Sequence, residues 1–311
     1  MVAKLIRGLQ SKFLEKKGCV LSIGNFDGIH LGHQALIKQM KFRAKELGVS
    51  SLVMTFEPQP LEFFAPERKV PRLTRFREKF SLLSKAGVDQ VWVVRFNAVL
   101  SALTAHDFIK KILFEKLHVN HVIVGQDFRF GRGREGDVSL LQKAGEVWGF
   151  TVEIMSNMTV DNERVSSTLI RKALMSDNLL LAKMLLGRPY TMMGKVVYGN
   201  QLGRKLGFPT ANIFLHRAAT PLHGIYVVLV HGVTQHALRG VANVGVRPTI
   251  GGTRIILEVY LFDFKDSLYG KMVNVEFCKK LREEERYDNL ELLRLQMQKD
   301  AKQAQEYFLS L

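Results

Sequence analysis

The stretch SIGNFDGIHLGH, residues 22–33, places two histidines and three glycines just after an apolar run. His30 and His33 stand one turn apart at the start of a predicted helix, so both rings can face the same side. A helix N-terminus offers unpaired N–H donors and partial positive charge, which suit a phosphate. Imidazoles there can donate hydrogen bonds as charge shifts onto a leaving pyrophosphate. The pattern predicts adenylyl or cytidylyl transfer, and the alternative is surface histidines at an ordinary helix cap.

Two later segments are expected at the same strand-end surface. VGQDFRFGRGREG, residues 124–136, follows a predicted strand with a polar, aromatic and glycine-rich loop. SSTLIR, residues 166–171, offers three hydroxyls and an arginine at another helix start, again suited to phosphate. Taken alone, the first is a solvated loop and the second a capped helix.

A second constellation lies in GKVVYGNQLGRKLGFPTANI, residues 194–213. Its glycines, among them Gly203 and Gly207, make a loop that can wrap phosphates. The oxygens of Thr210 and Asn212 suit Mg²⁺, although PTAN alone reads as a turn leading into a strand. Glu258 is a charged residue inside the apolar strand RIILEVYLFDF, and it is either the carboxylate that takes a hydroxyl proton or an outward-facing strand residue.

The elements that must position these residues change character along the chain. Up to about residue 186, predicted strands alternate with helices, which indicates an α/β domain with a parallel sheet and ligands beyond the carboxyl ends of its strands. Thr74 is the expected N-cap of the helix TRFREKFSLLSKAG. After residue 186, short strands with turns between them predict a small antiparallel β-barrel and a C-terminal helix. The predicted domains are residues 1–186 and 187–311.

The composition limits the class of protein. The chain has 311 residues, 47% of them hydrophobic, with two cysteines and a formal charge of +16. A basic chain suits nucleic acid, but no basic tail or aromatic RNA-binding motif is visible, so small phosphorylated ligands are the favoured partners. The sequence shows no secretion signal, disulfide framework or membrane span, and a cytoplasmic location is expected.

Together, SIGNFDGIHLGH, VGQDFRFG, SSTLIR and GFPTAN resemble the bacterial bifunctional riboflavin kinase/FAD synthetase family over essentially the whole chain. The resemblance implies that His30, His33, Ser167, Thr168 and Arg171 engage the ATP phosphates. It further implies a nucleotide site that includes Gly24, Asn25, Phe26 and Asp27, and a flavin loop that includes Asp127 and Phe128. The family often has FxPHP where this chain reads FEPQP, so Gln59 replaces a common histidine.

In the second half, the resemblance makes Glu258 the catalytic base and Gly203, Gly207, Thr210 and Asn212 the nucleotide site, with Mg²⁺ on the last two. Further candidates are Asn243, Arg247 and Thr249 near this site and, for the flavin, Arg286 or Arg294.

The implied function is phosphorylation of riboflavin to FMN by MgATP, followed by adenylylation of FMN to FAD. Two alternatives stay open: an enzyme with one degenerate site, and an RNA-binding regulator on the same scaffold. The sequence does not indicate the oligomeric state.

Overall fold

A computed structural model describes residues 2–11, 17–199, 203, 206–249 and 252–310. The chain divides into two compact units. The first holds Met1–Lys69 and Thr74–Ser166, and the second holds Val70–Leu73 and Ser167–Leu311. No helix in the described ranges combines the length and apolar character that crossing a bilayer requires.

The first unit is built on a parallel sheet of six strands in the order β1-β4-β3-β2-β5-β6. Its strands, together with the small antiparallel hairpin β7–β8, are β1 Lys4–Arg7, β2 Cys19–Ile23, β3 Ser50–Phe56, β4 Gln90–Val94, β5 Val119–Gly125, β6 Thr151–Met155, β7 Thr159–Val160 and β8 Glu163–Arg164. Its helices are α1 Leu31–Leu47, α2 Pro60–Phe64, α3 Phe76–Lys85, α4 Ala98–Ser101, α5 Ala105–Asp107, which continues as a π-helix over Phe108–Phe114, and α6 Val138–Trp148.

Strand β2 lies inside this sheet, and all five of its residues are buried. Successive side chains point to opposite faces, so Val20 packs into one hydrophobic cluster and Leu21 into another. Helices cover both faces, as a parallel sheet requires. The strand order reverses between β2 and β5, and the crevice above such a reversal is the usual ligand site of this architecture.

One prediction for the first unit needs correction, and one strand was not predicted. The basic N-terminal stretch contains the edge strand β1, which the sequence reading missed because its burial is incomplete. Helix α3 begins at Phe76, and its N-cap is Arg75 rather than Thr74. The Thr74 hydroxyl is instead used in a contact with the loop that precedes α1.

The described part of the second unit contains two helices, a closed barrel and a C-terminal helix. Its elements are α7 Ser167–Met175, α8 Leu179–Leu186, β9 Thr191–Val197, β10 Thr210–Phe214, β11 Gly224–His231, β12 Leu238–Thr249, β13 Gly252–Leu261, β14 Met272–Arg282 and α9 Leu290–Leu309. The barrel is antiparallel, with strand order β10-β13-β12-β11-β14-β9. The predicted fold class, a parallel α/β domain followed by a small antiparallel barrel with a C-terminal helix, is confirmed.

The alternation along the barrel strands separates an inner from an outer face. Leu257 and Val259 are buried and stand opposite the buried Val244 and Ala242 of β12, which forms the interior. Val227 of β11 instead packs outside against Ala304 and Phe308 of α9. The last three residues of PTAN begin β10, the second barrel strand along the chain, so Thr210 and Asn212 lie on a strand and not in a loop.

Candidate active sites

The loop between β2 and α1 has an unusual backbone. Phe26, Gly28 and Ile29 have φ angles of 47°, 88° and 44°, and two of these three residues carry a side chain that disfavours such values. Backbone strain of this kind persists only where surrounding contacts enforce it, and it concentrates at functional sites.

Thr74 supplies those contacts. The buried carboxylate of Asp27 accepts hydrogen bonds from the Thr74 N–H (2.8 Å) and from the Thr74 hydroxyl (3.1 Å). The Gly28 N–H donates to the same hydroxyl at 3.0 Å. The side chains of Asp27 and Phe26, each 2% exposed, therefore point from the loop into the protein and hold its shape.

The two histidines are brought together at the start of α1. His30 is the N-cap, and its Nδ1 accepts a hydrogen bond from the backbone N–H of His33 at 3.4 Å. The two rings stack with centroids 3.7 Å apart. The sequence prediction that both imidazoles share one side of the helix start is confirmed by this geometry.

The environment of His33 favours the neutral ring. Its Nδ1 is buried and has no hydrogen-bond partner among the residues that the structure describes. Burial, followed by the charges of His30 and Lys79, holds the pKa of His33 well below its ordinary value. A neutral imidazole keeps one donor and one acceptor nitrogen, so His33 can donate a hydrogen bond to an oxygen without carrying charge.

A cleft of about 720 Å³ opens at the carboxyl ends of β2, β3, β4 and β5. Gly24 and Asn25 line it from the β2 side, and Asp127 and Phe128 line it from the β5 side. Its remaining wall is rich in aromatic rings, which are Phe56, Phe64, Phe96, Phe108 and Phe130. Phe128 stacks on Phe130 at 5.5 Å, so the cleft suits a flat aromatic ligand.

Sequence reasoning missed most of this aromatic wall, because its rings come from separate segments. It also missed Arg164 on β8, whose guanidinium contacts the Asp127 carboxylate at 2.9 Å. Both side chains are substantially exposed, so this ion pair contributes little to stability. Its consequence is that a ligand approaching Asp127 also meets a guanidinium.

Gln59 lies three residues beyond the end of β3 and is the N-cap of α2. It is buried, and its N–H donates to the Glu62 carboxylate at 2.9 Å. Its amide Nε2 has no hydrogen-bond partner among the described residues. An amide does not titrate near neutral pH, so Gln59 can donate a hydrogen bond but cannot act as an acid or base.

Ser167, Thr168 and Arg171 lie on the first turns of α7, in the second unit. The Arg171 Nε donates to the Pro71 carbonyl at 2.9 Å, which ties α7 to the short segment Val70–Leu73 of the same unit. Their grouping with His30 and His33 around one nucleotide stays a prediction.

The second cleft lies on the outer face of the barrel, between the strands and α9. Three polar residues stand side by side on neighbouring strands, because Glu258 of β13 is the register partner of both Asn212 of β10 and Asn243 of β12. Thr210 lies on the same face, two residues before Asn212. Each of these four residues lines the cleft, whose volume is about 270 Å³.

Two glycines leave room for these side chains. A Cβ at Gly199 would lie 2.3 Å from the Asn212 amide, and one at Gly203 would lie 3.2 Å from the Thr210 hydroxyl. Gly203 lines the cleft, whereas Gly207 does not. The φ of Gly207 is 85°, which suits a turn. The side chains of Arg247 and Thr249 lie outside the described residues.

The arginine that lines this cleft is Arg282, which the sequence did not single out. Its Nε and Nη2 donate to the buried carboxylate of Asp300 at 2.9 and 2.7 Å. Burial would lower the pKa of Arg282, but the hydrogen bonds and charge of Asp300 outweigh it and raise the pKa. Arg286 and Arg294 are not among the cleft residues, and Arg294 pairs with Glu291.

Comparison with known proteins matches two family models to the chain, one in each half. The family model described as FAD synthetase matches residues 12–169, and the one described as riboflavin kinase matches residues 186–308. The bifunctional riboflavin kinase/FMN adenylyltransferase of Escherichia coli strain K12 is 47% identical, over 98% of each chain. The protein of the same name from Haemophilus influenzae is 45% identical, over 98% of this chain and 99% of its own.

A solved structure from Streptococcus pneumoniae, described as a macrolide-efflux protein, shares the fold. It matches 96% of this chain and 97% of its own, with a TM-score of 0.81 and 29% sequence identity. The matches over nearly the full length show that the chain belongs to the bifunctional riboflavin kinase/FMN adenylyltransferase family, with the FAD synthetase part first and the riboflavin kinase part second.

Proposed function

We propose that the barrel cleft phosphorylates riboflavin to FMN and that the cleft of the parallel sheet adenylylates FMN to FAD. The observation that carries the proposal is the row Asn212, Glu258 and Asn243 on the outer barrel face, beside Thr210. A carboxylate flanked by hard oxygen donors is what transfer of a phosphoryl group to an alcohol requires. The predicted domains, residues 1–186 and 187–311, carry one activity each.

In the kinase step, Glu258 accepts the proton of the ribityl hydroxyl. Thr210 and Asn212 are the residues that would hold Mg²⁺. The donor set fits this ion, because the Thr210 hydroxyl and the Asn212 amide oxygen lie on one strand face, beside glycines that have no side chain to displace them. When bound, Mg²⁺ neutralises charge on the transferring phosphoryl group. Gly203 lets the backbone approach the nucleotide, and Arg282, held by Asp300, fixes the opposite wall.

In the adenylyl step, the aromatic wall around Phe128 and Phe130 holds the isoalloxazine ring. His30 and His33 donate hydrogen bonds to phosphate oxygens as negative charge develops on the leaving pyrophosphate. Ser167, Thr168 and Arg171 bind phosphate in the same step. Phe26 and Asp27 act indirectly, since they hold the loop that carries the histidines.

Small anionic ligands account for the formal charge of +16 under this proposal. ATP, FMN, FAD and pyrophosphate are all anions, so a basic surface raises their local concentration without any role for nucleic acid. We place the reaction in the cytoplasm, a reducing compartment that suits a chain whose two cysteines, Cys19 and Cys278, are both free.

The test is incubation of the protein with riboflavin and MgATP, followed by chromatographic separation of riboflavin, FMN and FAD. FMN should rise first, and FAD should then replace it. FMN alone would mean that the first half is inactive, and unchanged riboflavin would refute the proposal. Addition of FMN in place of riboflavin tests the second step separately.

A further inference from the structure

The loop after β14 inserts a carboxylate into the barrel cleft. Glu284 lines the cleft, and its Oε1 accepts a hydrogen bond from the Asn243 Nδ2 at 3.1 Å. Asn243 is the register partner of Glu258, and such cross-strand neighbours have Cβ atoms about 5 Å apart. A second negative charge therefore lies in the same cleft as the residue that we assign as the base, and Asn243 is the neighbour of both carboxylates.

The strand beneath Glu284 is shaped to receive it. A Cβ on Gly245 would lie only 2.5 Å from the Glu284 Oε1. Gly245 stands two residues after Asn243 and so on the same face of β12. The missing side chain lets the carboxylate lie against the strand, while the Asn243 amide fixes its position.

Carboxylates outnumber cationic groups among the lining residues of the cleft that the structure describes. These residues include four carboxylates, at Glu258, Glu284, Glu285 and Asp300, and one guanidinium, at Arg282. The guanidinium is held by Asp300 in two hydrogen bonds. This lining favours a neutral alcohol over an anion that brings no cation of its own, whereas ATP enters together with Mg²⁺.

We propose that Glu284 is a specificity-determining residue that lets the kinase cleft accept neutral riboflavin and reject its anionic product. The inference rests on the proposed function, because it assumes that the cleft turns a hydroxyl into a phosphate. Riboflavin carries no charge, whereas its phosphate carries about −1.5 to −2 near neutral pH. Before the transfer this phosphoryl group belongs to ATP, which enters with Mg²⁺ to offset its charge. After the transfer it belongs to FMN, and its repulsion by the Glu284 carboxylate favours release of the product over release of neutral riboflavin.

The kinase step can be followed in the full-length protein, since it alone releases ADP while the adenylyl step releases pyrophosphate. Initial rates of ADP release at saturating MgATP give the KM for riboflavin and the inhibition constant of added FMN. We expect Glu284→Gln to lower the ratio of the FMN inhibition constant to the riboflavin KM by about tenfold. Higher ionic strength should lower the ratio in the parent but hardly in this variant.

Glu283→Gln is the matched control, because it removes the same charge from the same loop but from a side chain that pairs with Lys280. Its ratio should equal that of the parent. Gly245→Ala keeps the charge but pushes the carboxylate off the strand, and the ratio should fall by about threefold.

A Glu284→Gln ratio equal to the parent's, or an equal fall in Glu283→Gln, would overturn the assignment. Absence of ADP release by the parent protein with riboflavin would instead refute the proposed function itself.

Discussion

The two clefts take their chemistry from different parts of a β-sheet. In the first unit, the candidate residues stand on loops beyond the ends of parallel strands. In the barrel, Asn212, Glu258 and Asn243 stand in mid-strand. Helices cover both faces of the parallel sheet, so side chains within its strands, such as Val20 and Leu21, are buried in the hydrophobic core. Only the strand ends can therefore contribute residues to a ligand site. A small barrel buries one face of each strand and leaves the other free for a site.

The two sites also differ in their electrostatics. The first offers imidazoles at a helix N-terminus, which are donors for developing negative charge. The second offers carboxylates, which accept a proton and repel an anion. The difference matches the two steps, because one must stabilise a departing pyrophosphate and the other must activate a neutral hydroxyl.

The largest effect is expected from substitution of Glu258, which should impair the kinase step and leave the adenylyl step unchanged. Glu258→Gln keeps the shape of the side chain but removes its basicity, so FMN formation from riboflavin should fall by about 10²- to 10⁴-fold. ADP release measures this rate. FAD formation from supplied FMN should stay at the parent rate, and a variant whose kinase rate is within twofold of the parent would leave the base unidentified.

The histidines provide the reciprocal test. His30→Ala and His33→Ala should each lower FAD formation by about 100-fold, because each removes a donor to the pyrophosphate. FMN should then accumulate from riboflavin, and chromatography of the products measures both. Parent-level FAD formation by either variant would exclude that ring from the adenylyl step.

A smaller effect is expected at Thr74, which holds the strained loop. Thr74→Val keeps the shape but removes the hydroxyl that contacts Asp27 and Gly28. FAD formation should fall by about tenfold, and the free energy of unfolding of this unit by about 1–3 kcal/mol. Thr74→Ser retains the hydroxyl and should restore both, whereas FMN formation should not respond to either change. An equally impaired Ser variant would show that the methyl group, not the hydroxyl, matters.

The smallest effect concerns pH. Because burial lowers the pKa of His33, the unfolded chain binds a proton between that pKa and about 6.5 that the folded chain does not. Stability therefore rises with pH through this window and falls on acidification. His33→Gln cannot titrate, so the parent should lose a few degrees more in Tm than the variant between pH 7.5 and pH 5.5. If the Tm of the parent and that of the variant fell equally over this pH range, the folded protein would not be holding His33 in its neutral form.

Local patterns were sufficient to predict several features of both sites. His30 and His33 share one side of α1 because the spacing of three residues fixes that geometry within a single turn. The strands β2, β3 and β5 were visible as apolar runs, and Glu258 stood out as a charge within such a run. These predictions need only the repeat of a helix or a strand.

Only the tertiary structure decided which distant residues meet. Asp27 and Thr74 are 47 residues apart in the sequence, and nothing local to either one indicates their contact. The alignment of Asn243 with Glu258 depends on strand register, which barrel closure and the packing of its interior fix jointly. Arg282 lines the cleft because Asp300, on another element, holds its guanidinium there, and nothing local to Arg282 indicates that contact. A sequence specifies its local geometry residue by residue, whereas contacts of this kind arise only when the whole core packs.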